Sequence, residues 1–229
     1  MAKTFVIGDI HGAYRALRQC LDRADFDRDH DHLIALGDVA DGWPDTRECV
    51  DELLRLKNLT QLLGNHDYHT LEWIRTGAID DLWYHQGGKA TLNSYRDGVP
   101  ASHVEFFKRA RPYFVLGSRL FVHAGIDPHF DLRRQGISTF LWDRTLARMA
   151  MDHFMMGSNV QLTSYKEVYI GHTPTPFGRP VYSCGIWLMD TGAGWSGRLS
   201  IMNIDTHEYF LSDPVPELYP GVQGRARFG

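Results

Sequence analysis

The sequence has no apolar run of the roughly 18 residues that a bilayer-spanning helix needs. Its N-terminus, MAKTFVIGD, has too short an apolar part for a signal peptide, because Asp9 ends it. Cysteine is scarce among the 229 residues: Cys20, Cys49 and Cys184 form an odd, widely spaced set that suits reduced thiols better than disulfides. These absences predict a cytoplasmic protein without membrane contact.

An excess of positive charge is also missing, since 24 Lys and Arg stand against 28 Asp and Glu, a formal net charge of -4. Nucleic-acid modules usually carry a basic face, so we expect no general nucleic-acid binding. Phosphate chemistry stays compatible with this charge if metal ions supply the positive charge. The hydrophobic fraction of 43% indicates a globular chain with a buried core.

Short apolar runs alternate with helical periodicity in the first part of the chain. Apolar side chains recur at helical spacing in YRALRQCLDRA, and Pro44 with Asp45 marks the start of a second helix. The order strand, helix, strand, helix, strand is typical of a largely parallel sheet with right-handed crossovers. The strands predicted here are 3–8, 33–37 and 59–63.

The pattern changes after Leu63. Residues 67–111 are mostly helical and rich in aromatics, and we interpret them as a helical insertion or rim. A further helix is predicted at 140–154, and 213–229, with its Pro and Gly breaks, as a tail on the surface. Without repeats or linkers, we interpret 1–229 as a single domain. The remaining strands are predicted at 113–116, 120–122, 168–170, 186–189, 199–204 and 209–211.

Five short polar motifs directly follow predicted strands or apolar runs. In open α/β sheets, ligands bind outside the carboxyl ends of the strands, so these side chains are expected to converge. They offer two carboxylates, an amide and four imidazoles, a mixed oxygen and nitrogen set that divalent metals accept. Each motif alone has a plainer interpretation, as a turn, a helix cap or a core histidine. The motifs are GDIHG at 8–12, GD at 37–38, GNHD at 64–67, HA at 123–124 and GH at 171–172.

Together, GDIHG, GDVAD, GNHD, VHAG and GHT resemble the calcineurin-like metallophosphoesterases. The resemblance is to the phosphoprotein phosphatase branch, which includes bacterial and bacteriophage Ser/Thr phosphatases and symmetric diadenosine tetraphosphate hydrolases. It spans residue 5 to about residue 197. It implies an α/β fold, a four-layer αββα sandwich, with a dinuclear metal site.

The resemblance also implies the metal ligands. The first ion would be held by Asp9, His11 and Asp38. The second would be held by Asp38, Asn65, His123 and His172, with Asp38 bridging. Two ions about 3.5–4 Å apart can share an activated hydroxide and clamp the phosphoryl oxygens. Mn is the expected metal, while Fe, Zn, Co or Ni also suit these ligands.

The same resemblance implies the remaining roles. His66 would protonate the leaving oxygen as general acid, and Asp41 would orient its imidazole. For His66, a third metal ligand or a cap is the alternative. Asn65 and Arg144 would bind substrate phosphate, although an ordinary surface ion pair is the alternative for Arg144.

The function expected is a metal-dependent phosphatase. It would hydrolyse phosphomonoesters, on Ser/Thr of proteins or on small molecules, by attack of a hydroxide bound to two metal ions. One alternative is a symmetric dinucleoside polyphosphate hydrolase, which the GNHD motif slightly favours. An alternative of another class is a non-catalytic metal-binding interaction module.

One loop departs from the family pattern. GDVADGWP has Gly42 where GDxxDRG has an arginine that binds phosphate oxygens. This predicts a site lacking one phosphate clamp, in which Gly42→Arg would tighten substrate binding. Trp43 is expected either to offer a flat face to an aromatic or base group, or to pack in the core beside Pro44.

Overall fold

A computed structural model describes residues 2–225, and these form ten strands in two five-stranded sheets. The strands are β1 (Thr4–Ile7), β2 (His32–Ala35), β3 (Asn58–Gln61), β4 (Tyr113–Leu116), β5 (Arg119–Val122), β6 (Glu167–Ile170), β7 (Val181–Ser183), β8 (Ile186–Leu188), β9 (Ser200–Asn203) and β10 (Tyr209–Leu211).

Each sheet combines parallel and antiparallel strands. The first has the order β10-β9-β1-β2-β3, with β1, β2 and β3 parallel and β9 and β10 antiparallel. The second has the order β4-β5-β6-β8-β7, with β5, β6 and β8 parallel. The carboxyl ends of six parallel strands, three in each sheet, are therefore available to carry polar side chains.

Nine α-helices accompany the sheets within the described residues. None of them has the length and apolar character that a membrane crossing would require. A π-helical turn at 84–88 and a 3₁₀ turn at 132–134 complete the helical segments. The α-helices are α1 (Tyr14–Arg23), α2 (Thr46–Leu54), α3 (Asn65–Thr76), α4 (Asp81–Trp83), α5 (Lys89–Ser94), α6 (Ala101–Arg109), α7 (Ile137–Trp142), α8 (Thr145–Met156) and α9 (Val215–Leu218).

The core forms three layers of contact between these elements. Side chains such as Ile34 on the first sheet and Phe121 and Tyr169 on the second fill the space between the sheets, with Phe121 and Tyr169 stacked at 4.8 Å. Outer clusters bury α1 and α2 against the first sheet, and α7 and α8 against the second. This is the four-layer αββα sandwich, so the predicted fold is confirmed.

The helix predicted at 140–154 is two helices. The chain leaves helical geometry at Asp143, where ψ is 119°, and Asp143 Oδ1 then accepts a hydrogen bond from the backbone N–H of Thr145 at 2.7 Å. Aspartate side chains compete with the backbone carbonyls that accept hydrogen bonds within a helix. The bond from Thr145 to Asp143 therefore separates α7 from α8 and marks the start of α8. Strand β7 was not predicted, because only three residues of this edge strand pair with β8.

In the described part of 213–229, which the sequence predicts to be a surface tail, two side chains are anchored in the core and most of the others are exposed or half-buried. Val215 is fully buried, Tyr219 is 3% exposed, and both belong to the core cluster around α1 and α2. The Tyr219 ring stacks on Trp43 at 5.2 Å, and its hydroxyl donates to Asp45 Oδ2 at 2.7 Å. Residues 226–229 lie outside the described residues.

This packing predicts the cost of shortening a tail side chain. Val215→Ala removes two buried methyl groups, so we expect it to lower the free energy of unfolding by about 2 kcal/mol. Val222→Ala is the matched control, because Val222 is 43% exposed and should change stability by less than about 0.5 kcal/mol. Urea denaturation of both variants measures the difference. Equal stabilities would mean that the tail is not docked.

Candidate active site

Polar side chains from both sheets meet at the carboxyl ends of the parallel strands. Asp9 and His11 follow β1, Asp38 follows β2, His123 follows β5 and His172 follows β6. All are buried, and they form two groups whose potential ligand atoms lie within 4.8 Å of one another. The groups are Asp9–His11–Asp38 and Asp38–His123–His172. Asp38 is common to both, which is the position that the family resemblance implies for it.

The backbone at these strand ends is unusual. His11, Asp38, Asp41 and His172 have φ values of 51°, 49°, 71° and 59°, in the left-handed region that non-glycine residues seldom occupy. The His11 N–H donates to the carbonyl of Asp38 at 2.8 Å, and the His172 N–H donates to Asp9 Oδ2 at 2.9 Å. These hydrogen bonds between residues of the cluster stabilise the left-handed turns at the strand ends. Backbone strain of this kind concentrates at functional sites.

Two glycines make room for the carboxylates. A Cβ at Gly64 would overlap Asp38 Oδ1, and a Cβ at Gly171 would overlap Asp9 Oδ1. These overlaps explain why both motifs, GNHD and GHT, begin with glycine. The chain passes so close to each carboxylate that any side chain would displace it.

Hydrogen bonds orient the imidazoles so that Nε2 faces the cluster. His11 Nδ1 lies 3.2 Å from the Ala40 carbonyl and His123 Nδ1 lies 2.9 Å from the Leu36 carbonyl. A carbonyl can only accept, so Nδ1 of each ring donates. Nε2 of these rings lies 3.6 Å and 3.4 Å from Asp38 Oδ2. Buried His172 Nε2 has no hydrogen-bond partner among residues 2–225.

The electrostatics of the cluster suit a cation. Burial raises the pKa of Asp9 well above its ordinary value, and the neighbouring Asp190 and Asp38 raise it further. Burial alone would also raise the pKa of Asp38, but the nearby His123 holds it well below its ordinary value. Asn65 Oδ1 lies 3.0 Å from His123 Nε2, which adds an amide oxygen to the second group. Crowded buried carboxylates, an orphaned imidazole nitrogen and this amide form a set of ligands that fits borderline divalent metals.

Asp190 is a member of this cluster that the sequence analysis missed. Burial raises the pKa of its carboxyl to about 6. Its Oδ1 accepts from the Gly192 N–H at 2.9 Å, while its buried Oδ2 has no partner among the described residues. Asp190 follows strand β8, so the strand-end rule that found the other carboxylates could have found this one.

His66 and Asp41 form a buried pair beside the metal-ligand candidates. His66 Nδ1 lies 2.7 Å from Asp41 Oδ2, and the two side chains are 2% and 0% exposed. Trp83 Nε1 and Thr91 Oγ1 also donate to Asp41, at 2.6 Å and 2.7 Å. Burial raises the pKa of Asp41 to about 7 and lowers the pKa of His66 to about 3. The pair is thus built to hold a proton between Nδ1 and the carboxylate.

Arg144 approaches the cluster from the side of His172. Its Nη1 donates to the His172 carbonyl at 3.1 Å and lies 3.4 Å from Thr173 Oγ1. Burial of its guanidinium lowers the pKa of Arg144. The alternative of a surface ion pair is not observed among residues 2–225.

Asp67, the last residue of GNHD, does not face the cluster. Its Oδ1 accepts from the N–H groups of Val39 and Ala40 at 2.9 Å and 3.1 Å, and its Oδ2 accepts from Gly64 N–H at 3.2 Å. Asp67 therefore braces the GDVAD turn. Because it contacts backbone alone, its identity gives no reason to prefer one substrate over another.

In the GDVADGWP loop the structure selects one of the two alternatives for Trp43 and argues against the expected effect of Gly42→Arg. Trp43 is 1% exposed, donates from Nε1 to the Ala193 carbonyl at 2.7 Å and stacks on Tyr219, so it packs in the core and offers no face to a ligand. Gly42 has φ of +103°, and a Cβ there would lie 3.0 Å from Arg225 Cγ. Gly42→Arg would therefore be strained, and the expectation that it tightens substrate binding is withdrawn.

Known proteins with similar sequences or structures were found in three comparisons. The profile of the calcineurin-like phosphoesterase family matches residues 2–188. Serine/threonine-protein phosphatase 1 of Salmonella typhimurium is 27% identical over 207 residues, covering 87% of this chain and 91% of that protein. The symmetrical bis(5'-nucleosyl)-tetraphosphatase of Proteus mirabilis is 33% identical over 133 residues, covering 56% of this chain and 46% of that protein. The crystal structure of a candidate diadenosine tetraphosphatase has a TM-score of 0.68 at 18% identity, covering 92% of both chains, and supports the fold alone.

The shared position of Asp38 predicts how metal content responds to substitution. Asp38→Asn should lower the content of bound divalent ions more than Asp9→Asn, because Asp38 belongs to both groups and Asp9 to one. Elemental analysis of each purified variant after loading with Mn²⁺ measures the ions per chain. Two ions per chain in Asp38→Asn would contradict the bridging position.

Proposed function

This chain belongs to the calcineurin-like phosphoesterase family, hydrolases of phosphoric esters that use divalent metals, and we propose that it is a phosphatase of phosphomonoesters. The proposed substrates are phosphorylated proteins, at Ser or Thr, or small-molecule phosphates. The observation that carries the proposal is the buried His66–Asp41 pair beside two ligand groups that share Asp38. A site that only binds metal has no use for such a pair.

The metal ligands proposed are those of the two groups, joined by Asn65. The first ion is assigned to Asp9–His11–Asp38 and the second to Asp38–His123–His172 with Asn65. When bound, two divalent ions supply positive charge, which lowers the pKa of a water molecule and balances the negative charge of the phosphoryl oxygens. We propose Mn²⁺, since the ligand set has no thiolate and mixes oxygen with imidazole nitrogen.

The other side chains act on the two ends of the breaking bond. His66 gives a proton to the leaving oxygen, and Asp41 holds the imidazole by its Nδ1 so that the opposite nitrogen, Nε2, is directed to the substrate. Asn65 and Arg144 donate hydrogen bonds to phosphoryl oxygens. A guanidinium gives charge-assisted bonds in a fixed fork, which also orients the phosphate.

A second candidate is hydrolysis of symmetric dinucleoside polyphosphates. It is favoured by similarity to the bis(5'-nucleosyl)-tetraphosphatases, although the chain spans less than half of the Proteus mirabilis protein. A cleft of about 620 Å³ beside the site, which includes Trp195 and Pro176, has room for more than a phosphate group. A non-catalytic metal-binding module is disfavoured by the His66–Asp41 pair.

One assay distinguishes the three functions. Protein loaded with Mn²⁺ is given p-nitrophenyl phosphate, a phosphoserine peptide and diadenosine tetraphosphate, and protein stripped with EDTA is the control. The proposal expects turnover of the two monoesters, loss of activity on stripping and its return with Mn²⁺. Preference for diadenosine tetraphosphate supports the second candidate. If metal-loaded protein turned over none of the three substrates, the non-catalytic metal-binding module would be the remaining function.

The proton donor has a test of its own. A general acid contributes about 10²- to 10⁴-fold, and its contribution falls when the leaving group is stable without a proton. His66→Asn should therefore lose far more activity on an alkyl phosphate than on p-nitrophenyl phosphate, while its metal content stays unchanged. His69→Asn, three residues along α3, is the matched control and should keep activity on both. Equal losses for His66→Asn on the two substrates would exclude proton donation.

A further inference from the structure

The strongest feature outside the predicted site is Arg225, which the C-terminal tail brings to the edge of the cluster. Its Nη1 lies 3.1 Å from His11 Nε2, and its Nε donates to the Gln86 carbonyl at 3.1 Å. Its backbone N–H donates to the Gly194 carbonyl at 2.9 Å. The guanidinium carbon lies 4.5 Å from the centre of the Trp195 ring. Four contacts therefore fix the position of one side chain.

The loop at Gly42 makes room for this arginine. The Arg225 side chain passes so close that a Cβ at Gly42 would lie 3.0 Å from Arg225 Cγ and 3.3 Å from the carbonyl of His11. A Cβ at Gly224 would in turn lie 2.8 Å from the Trp43 ring. Gly42 and Trp43 thus serve one purpose, since the first leaves space for the guanidinium and the second anchors the segment that carries it.

Arg225 carries its charge to the edge of the site without forming a direct ion pair among the described residues. Among residues 2–225 no carboxylate oxygen lies within 4.0 Å of its guanidinium, whereas Arg23 pairs with Asp213 of the tail at 2.7 Å. Arg225 is half-buried and lines a cleft of about 620 Å³ together with Trp195 and Gln86. Nη2 has no protein acceptor among the described residues, so it is available to an anion.

We propose that Arg225 binds the phosphoryl oxygens of the substrate, and so occupies in space the place that Gly42 leaves open in the loop. Arg225 contacts His11, in the Asp9–His11–Asp38 group, and Arg144 contacts His172, in the other group. A phosphate lying across both groups meets one guanidinium at each end. This inference rests on the proposed function, because it assigns a residue to the binding of its substrate.

The contact with His11 bears on metal loading. His11 Nε2 cannot accept a hydrogen bond from Arg225 and bind a cation at once, so an ion held by this group would leave Nη1 without that partner. The bonds from Nε and from the backbone N–H keep the side chain at the cluster edge. Nη1 would then be available to an anion together with Nη2. Because the guanidinium lies on Trp195, an anion bound there would change the surroundings of an indole that fluoresces.

The test compares Arg225→Ala with wild type, both loaded with Mn²⁺, by titration calorimetry with inorganic phosphate. A hydrogen bond to a charged group is typically worth about a 10- to 100-fold change in binding, so Kd for phosphate should rise by this factor. KM for p-nitrophenyl phosphate should rise in proportion. Metal content should stay at two ions per chain, since Arg225 is not a ligand. Arg225→Lys should keep part of the affinity, because it keeps the charge but not the fork.

Arg109→Ala is the matched control for the loss of one positive charge, because Arg109 is 83% exposed on α6. It should bind phosphate as wild type does. Addition of phosphate to Mn²⁺-loaded wild type should also change tryptophan fluorescence, and Arg225→Ala should lose most of this change. Melting curves show whether each variant is folded.

Three results would overturn the assignment. Unchanged phosphate affinity in folded Arg225→Ala would make the arginine a structural contact of the tail. Tighter metal binding with unchanged phosphate affinity would make it a plug that competes with the first ion. Wild-type protein that holds two ions but binds no phosphate would defeat the proposed function as well, and that failure is visible before any variant is made.

Discussion

Burial of negative charge is the constraint on which the rest of this site depends. Asp9, Asp38, Asp41, Asp67 and Asp190 are each at most 2% exposed. A buried carboxylate is costly unless hydrogen bonds or opposite charge compensate for lost water. Three backbone N–H groups stabilise Asp67, and His66, Trp83 and Thr91 surround Asp41. The other three carboxylates face one another, so imidazoles, arginines and bound cations must balance them.

The packing of the two sheets keeps the crowded carboxylates in place. Two sheets packed through a common apolar layer bring the ends of β1, β2, β5, β6 and β8 to one place, so no single loop has to hold the whole cluster. Residues with left-handed φ cost of order 1–3 kcal/mol each where the surroundings impose them. The hydrogen bonds from His11 to Asp38 and from His172 to Asp9 hold those turns. Four non-glycine residues with left-handed φ and the crowded carboxylates thus lie together at the rim of a rigid core.

Positions set by local sequence patterns could be predicted, whereas contacts between residues far apart in the sequence could not. Asp9, Asp38 and His123 were found because a local pattern, an apolar strand followed by a polar residue, fixes where they lie. Trp83 and Thr91 reach Asp41 over 42 and 50 residues, through helices whose packing has no local signature. Arg225 contacts His11 over 214 residues. No periodicity or motif near the C-terminus could have predicted that contact, and the prolines there suggested an exposed tail instead.

Moving a guanidinium from the loop to the tail changes what the site depends on. An arginine within GDVADGWP would be positioned by the same turn that positions Asp38, so it would be present whenever that turn is folded. Arg225 is positioned by the docking of Val215 and Tyr219 against the core around Trp43. Its presence at the cluster is therefore as stable as that docking, and the two ligand groups do not need it to form. Local opening of the tail would remove the arginine and leave the carboxylates and imidazoles in place, so phosphate binding is coupled to an element that metal binding does not require.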